Sequence, residues 1–182
     1  MRDILFVQGA GEGVHAEWDL KLVESLRREL GPQYEVRYPF MPNEADPTLA
    51  TWKPALEQEF AALRNGAVVM GHSAGGAMLI NVLTQSAPIA LAAIVLIAAP
   101  FIGADGWTSD DIAPQARLAE RLPSAVPVFL YHGENDDIVP VAHVELYARA
   151  IPGAHVRRLA GRDHQLNDDL SEVASDIRDL ED

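Results

Sequence analysis

The chain has 182 residues, of which 48% are hydrophobic, and a formal net charge of −13. That length fits one domain with a sizeable core, and the apolar content excludes a disordered chain. The acidity argues against nucleic acid and anionic membranes as partners, and the absence of cysteine excludes disulfides, thiol catalysis and Cys-based zinc sites.

The chain enters a strand at 3–8 with no leader-like segment before it, so a cytoplasmic location is expected. Helix is expected at 17–30, strand at 34–38, helix at 49–64, strand at 67–71 and helix at 74–86. The apolar stretch from Ala87 to Ile102 is interrupted by Pro88 and Pro100 and is shorter than the roughly 20 residues of a membrane span. It reads as a buried parallel strand, 92–98, with its flanks. A long loop follows, with a helix near 111–121, then strand 127–132, helix 141–150, strand 155–160 and helix 169–180. Strict alternation of this kind predicts an α/β three-layer sandwich, a six-stranded parallel sheet with helices on both faces. No repeat, low-complexity tract or linker breaks the pattern, so a single domain over 1–182 is expected. The segment 99–122, carrying Phe101, Trp107, Asp110 and Asp111, is the one candidate for a partial lid and is too short for a large cap domain. The acidic end, Asp176 to Asp182, reads as a solvated helix terminus.

The third strand runs into Gly71-His72-Ser73-Ala74-Gly75 and then directly into a helix. This is the pattern of a nucleophile elbow, a strained strand–helix turn that holds a serine Oγ clear of the sheet. Glycine is needed at 71 and 75 because side chains there would strike the neighbouring strand or helix. The bland alternative is Ser73 as a simple helix cap. A catalytic serine needs an acid and a histidine later in the chain, and both occur where strands end. His132-Gly133 is followed by the polar turn Glu134-Asn135-Asp136-Asp137, and the last strand is followed by Gly161-Arg162-Asp163-His164. Loops at the carboxyl ends of parallel strands open on one edge, so Ser73, an aspartate near 136 and His164 can converge. Asp137 and Asp105 remain competitors for the acid. Of the six histidines only His164 follows the last strand; His15, His72, His132, His143 and His155 lie elsewhere.

An oxyanion hole is expected from the backbone N–H of Ala74 and from the loop after the first strand, Gln8 to Gly13. His15 and Trp18 follow that loop closely enough to border the site, although tryptophans at helical positions, such as Trp18 and Trp52, are ordinarily core or staple residues. A dinucleotide fingerprint would need glycine at position 14, where Val14 stands, and an acid after the second strand, where Arg37-Tyr38-Pro39 stands. No P-loop is present. His132, Glu134, Asp136 and Asp137 crowd together but lack metal-site spacing. No cofactor and no metal are expected.

The three loops, Gly71 to Gly75, His132 to Pro140 and Gly161 to His164, resemble the catalytic loops of the α/β-hydrolase superfamily over almost the whole chain. The short length, and Met41-Pro42-Asn43 followed by Trp52, are similar to the small lidless serine hydrolases related to retinoblastoma-binding protein 9. The resemblance implies an α/β-hydrolase fold without a large cap and a Ser73–His164–Asp136 triad, the acid falling on Asp136 and not on Asp137. It implies Ala10 as the second oxyanion donor, with Gln8-Gly9 in place of the His-Gly pair of many hydrolases. It also implies hydrolysis of a small ester or related acyl bond without a cofactor. The alternative is a protein-interaction module on a hydrolase fold with little or no turnover.

Overall fold

The protein is described from a computed structural model over residues 1–86 and 90–180. Positions 87–89 of the apolar stretch and 181–182 of the acidic end lie outside the described residues. Six strands, β1 (Arg2–Val7), β2 (Tyr34–Arg37), β3 (Ala67–His72), β4 (Leu91–Ile97), β5 (Val128–Gly133) and β6 (His155–Leu159), form one sheet in the order β2-β1-β3-β4-β5-β6. Every pairing is parallel, as the alternation predicts. The helices are α1 (Asp19–Leu30), α2 (Leu49–Ala61), α3 (Ala74–Leu83), α4 (Ala142–Ala150) and α5 (Ser171–Arg178).

Strand side chains alternate between two cores, as a period of two requires. Leu5, Val7, Val69, Ile94 and Leu96 pack with Trp52, Phe60, Leu79 and Tyr147 of α2, α3 and α4. Ile4, Phe6, Val68, Met70 and Val95 pack with Leu22, Leu26, Val173 and Ile177 of α1 and α5. The central strands are buried on both faces, which is why they read as continuous apolar runs. From β1 the chain moves outward to β2, then returns past β1 to β3 and proceeds the other way. Strand order therefore reverses between β1 and β3, where a parallel sheet opens a crevice at its carboxyl edge.

Three expectations are corrected. The helix near 111–121 is absent; only a short 3-10 turn, Leu118–Glu120, forms there. Ser109 Oγ accepts the N–H groups of Asp111 and Ile112 at 3.1 and 2.9 Å, Pro114 has no N–H to give, and Gln115 is tied by its side chain to Ile102 N–H, Ala77 C=O and Tyr147 OH. Local side-chain bonds and long-range ties thus outcompete a helix. At 17–30, a π-helical turn (Val14–Trp18) precedes α1. In the acidic end, Asp176 is not solvated: its carboxylate is buried and accepts from Tyr131 OH and Arg157. No helix among the described residues is long and apolar enough to cross a membrane.

Candidate active site

Ser73 follows β3 directly and adopts φ 52° and ψ −130°, a strained conformation for a residue with a side chain. Its Oγ makes no helix-capping hydrogen bond, so capping does not explain the residue. The turn is tight enough to account for both glycines. A Cβ on Gly75 would lie 2.0 Å from the Gln8 carbonyl oxygen of the β1 loop, and one on Gly71 would lie 2.6 Å from Gly76 Cα in α3. Both neighbours are backbone and cannot swing aside.

The loops after β5 and β6 are fastened together by main-chain bonds, Glu134 N–H to Leu159 C=O at 3.0 Å and Asn135 N–H to Arg162 C=O at 2.9 Å. This brings Asp136 to His164, whose Nδ1 lies 2.8 Å from Asp136 Oδ2. The Asp136 side chain is wholly buried, yet every oxygen is served. Oδ1 accepts the N–H groups of Ile138 and Val139 at 2.9 and 2.8 Å, and Oδ2 also faces His132 Nε2 at 3.1 Å. Burial alone would raise its pKa; hydrogen bonds from His132, His164 and the Val139 N–H outweigh it and hold the carboxyl well below the usual range. Asp136 is therefore a fixed carboxylate, His164 must donate from Nδ1, and Nε2 is left as the free nitrogen.

Ser73 and His164 border one cleft of about 390 Å³ together with Gly9 and Ala10 of the β1 loop. Val14, Trp18 and Ile138 supply an apolar wall, while Asp137 and Asp163 supply carboxylates. Gln165 borders the cleft too, with a buried Oε1 that has no hydrogen-bond partner among the described residues. Asp137 thus reaches the cleft, but the bond to His164 comes from Asp136. Asp105 does not border it, and neither does any residue of 99–122, so that segment is no lid over this cleft. Ala74 opens α3 directly behind Ser73. Neither its N–H nor that of Ala10 meets a protein acceptor among the described residues.

Trp52 is fully buried, as expected of a core residue, whereas Trp18 is 50% exposed and borders the cleft. His15 does not border it: its ring stacks on Tyr38 at 4.1 Å. Three contributors went unread in the sequence. His132 supports Asp136. Glu44 accepts Gly13 N–H, His15 N–H and Gln8 Nε2 at 2.8, 3.0 and 2.7 Å, pinning the glycine loop. Asp19 pairs with His72 beneath the cleft. Nothing local marks the last two, since their partners lie 31 and 53 residues away. Among the described residues no group of three His, Asp or Glu side chains is placed to hold a metal ion.

The fold is shared with known enzymes. The serine hydrolase of carbazole degradation, CarC, superposes with a TM-score of 0.75 at 14% identity, over 100% of this chain and 92% of its own. An esterase from Rhodococcus sp. ECU1013 gives 0.73 at 16%, over 99% and 91%. A Xanthomonas campestris α/β serine hydrolase without a lid gives 0.65 at 15%, over 97% and 79%. No curated protein matches the chain significantly in sequence. At these identities the likeness establishes the fold alone, the α/β-hydrolase fold. The profile of the family described as "Serine hydrolase" matches residues 5–170, and the chain belongs to that family.

Proposed function

We propose that the protein hydrolyses a small ester or related acyl bond through an acyl-enzyme on Ser73. The observation that carries this reading is the Asp136–His164 pair, at 2.8 Å, bordering the same cleft as a strained, non-capping Ser73. Ser73 Oγ attacks the carbonyl while His164 Nε2 takes its proton; Asp136 holds the imidazole tautomer and balances the charge that forms. The N–H groups of Ala10 and Ala74 receive the oxyanion. Collapse of the tetrahedral intermediate returns the proton to the leaving group. His164 then activates water, which releases the acid and restores Ser73. No step calls on a cofactor.

The cleft volume is at the small end for ligand sites, and Val14, Trp18 and Ile138 suit a short apolar acyl group. Within the family we place the chain with the small hydrolases resembling retinoblastoma-binding protein 9. In support, Trp52 Nε1 donates to Pro42 C=O at 2.8 Å, joining the Pro-rich loop to the tryptophan-bearing helix on which that resemblance rests.

The test is steady-state and burst-phase hydrolysis of p-nitrophenyl acetate by wild type, Ser73→Ala and His164→Ala. The reading expects turnover that falls by up to about a million-fold in either variant. A folded wild-type protein inert to this and other activated acyl esters would refute it and favour an interaction module.

A further inference from the structure

Beneath the cleft lies an ionisable pair that the proposed chemistry does not use. Asp19, the first residue of α1, is fully buried, and His72, the last residue of β3, is 1% exposed. His72 Nδ1 lies 2.9 Å from Asp19 Oδ1 and 3.1 Å from Oδ2. Asp19 Oδ2 also accepts the Gly9 N–H at 2.7 Å. On the far side of the ring, His72 Nε2 is 3.1 Å from the His164 carbonyl oxygen.

The pair therefore touches three loops at once: the β1 loop one residue before Ala10, the elbow one residue before Ser73, and the main chain of His164. We infer that Asp19 and His72 are positioning residues, a buried brace that fixes the oxyanion loop and the His164 loop against the elbow. The inference rests on the acyl-transfer reading above for its catalytic consequence, and on geometry alone for the brace.

The proton count follows from the contacts. Both ring nitrogens of His72 face acceptors, a carboxylate and a carbonyl, and a neutral imidazole has one N–H. Only the doubly protonated ring serves both. Burial, the largest single effect, would lower the pKa of His72 and raise that of Asp19; the partner's opposite charge and the hydrogen bonds of each together outweigh it, so His72 is raised and Asp19 lowered. Asp19 Oδ1, although close to Nδ1, makes no well-aligned hydrogen bond among the described residues, so its charge is balanced chiefly by the imidazolium.

Stability is a poor account of such a pair, since well-packed apolar residues of similar volume often serve a buried site as well or better. Position is a better one. Without the pair, the Gly9 N–H and the His164 C=O would each lose the partner they have. A Cβ on Gly9 would stand 3.3 Å from Ser73 Cβ, so the β1 loop has little slack against the elbow. A 1 Å misplacement of catalytic groups can lower a rate about a hundredfold.

The experiment has two arms. In wild-type protein at neutral pH, long-range ¹H–¹⁵N spectra of the imidazoles, assigned with His72→Gln, should show both His72 nitrogens protonated. A neutral His72 would overturn the brace as drawn. In the second arm, Asp19→Asn, His72→Gln and the double variant are compared in ester turnover after thermal melts confirm folding. The expected result is a kcat lowered about 10- to 100-fold with KM within about threefold, the double variant no slower than the slower single one. Folded variants with reduced melting temperature and unchanged kcat would overturn the positioning role. Inert wild type would instead refute the acyl-transfer reading, and the proton count would then decide the brace by itself.

Discussion

Asp136→Asn is the perturbation whose outcome the geometry constrains most. The native carboxylate only accepts: two backbone N–H groups at Oδ1, and His164 Nδ1 at 2.8 Å with His132 Nε2 at 3.1 Å on Oδ2. An asparagine keeps the shape but has one accepting oxygen. Turned toward His164, it would aim its NH₂ at two N–H donors that cannot rotate. Turned the other way, it keeps both backbone bonds and aims NH₂ at His164. The second orientation leaves fewer opposed donors. It forces His164 Nδ1 to accept, so the proton moves to Nε2, the nitrogen that must take the Ser73 proton. A wrong-tautomer histidine of this kind lowers kcat by about 10⁴, which is about 5 kcal/mol of transition-state stabilisation. Because Asp136 does not border the cleft, KM should stay within about threefold. The assay is p-nitrophenyl acetate hydrolysis with active-site titration, beside Asp137→Asn as a matched control. Asp136→Asn within about tenfold of wild type, with Asp137→Asn the slower variant, would refute the argument and move the acid to Asp137.

Gly75→Ala should destabilise the fold by more than about 3 kcal/mol, because the new methyl would meet the Gln8 carbonyl at 2.0 Å; a melting temperature lowered by less than about 5 °C would contradict this. Asp137 and Asp163 border the cleft, no lysine or arginine does among the described residues, and the His72 imidazolium that also borders it is paired with Asp19. An ester with a carboxylate on its acyl chain should thus show a kcat/KM about tenfold or more below its neutral isostere at low salt, the gap narrowing at high salt; equal values at low salt would refute it. Acid stability follows from three lowered carboxyls. Asp3 is lowered foremost by its hydrogen bonds with Arg64; in Asp136 and Asp176 burial acts to raise the pKa and is outweighed by hydrogen-bonding partners. Their stabilisation is present above the unfolded carboxylate value of about 4 and is lost as pH falls through the folded values. The urea midpoint should therefore fall steadily below about pH 4, and a midpoint flat to about pH 2 would contradict the assignment.

The sheet was legible because its central strands are buried on both faces: Val68-Val69-Met70 and Ile94-Val95-Leu96 show as apolar runs between glycine and proline breaks. The elbow was legible because its glycines stand at fixed offsets from Ser73; the steric reason is local only for Gly71, against Gly76, whereas Gly75 is required by the Gln8 carbonyl of the distant β1 loop. Asp136 and His164 were legible because parallel strands deliver their loops to one edge whatever the intervening sequence. The segment 111–121 was misread because its helical pattern meets ties known only in three dimensions, from Gln115 to Ala77 and Tyr147. Asp19 escaped notice for a similar reason. An acid in the first turn of an amphipathic helix is ordinarily a solvated end, and its partner His72 is 53 residues away. For Trp18 the sequence left two readings, a site-bordering residue and a packing one; it ends the π-helical turn Val14–Trp18 and borders the cleft.

The most direct measurement is labelling with a fluorophosphonate probe followed by peptide mass mapping. The account predicts one stoichiometric adduct on Ser73, abolished in Ser73→Ala and strongly slowed in His164→Ala. No adduct on folded protein, or an adduct on another serine, would contradict it.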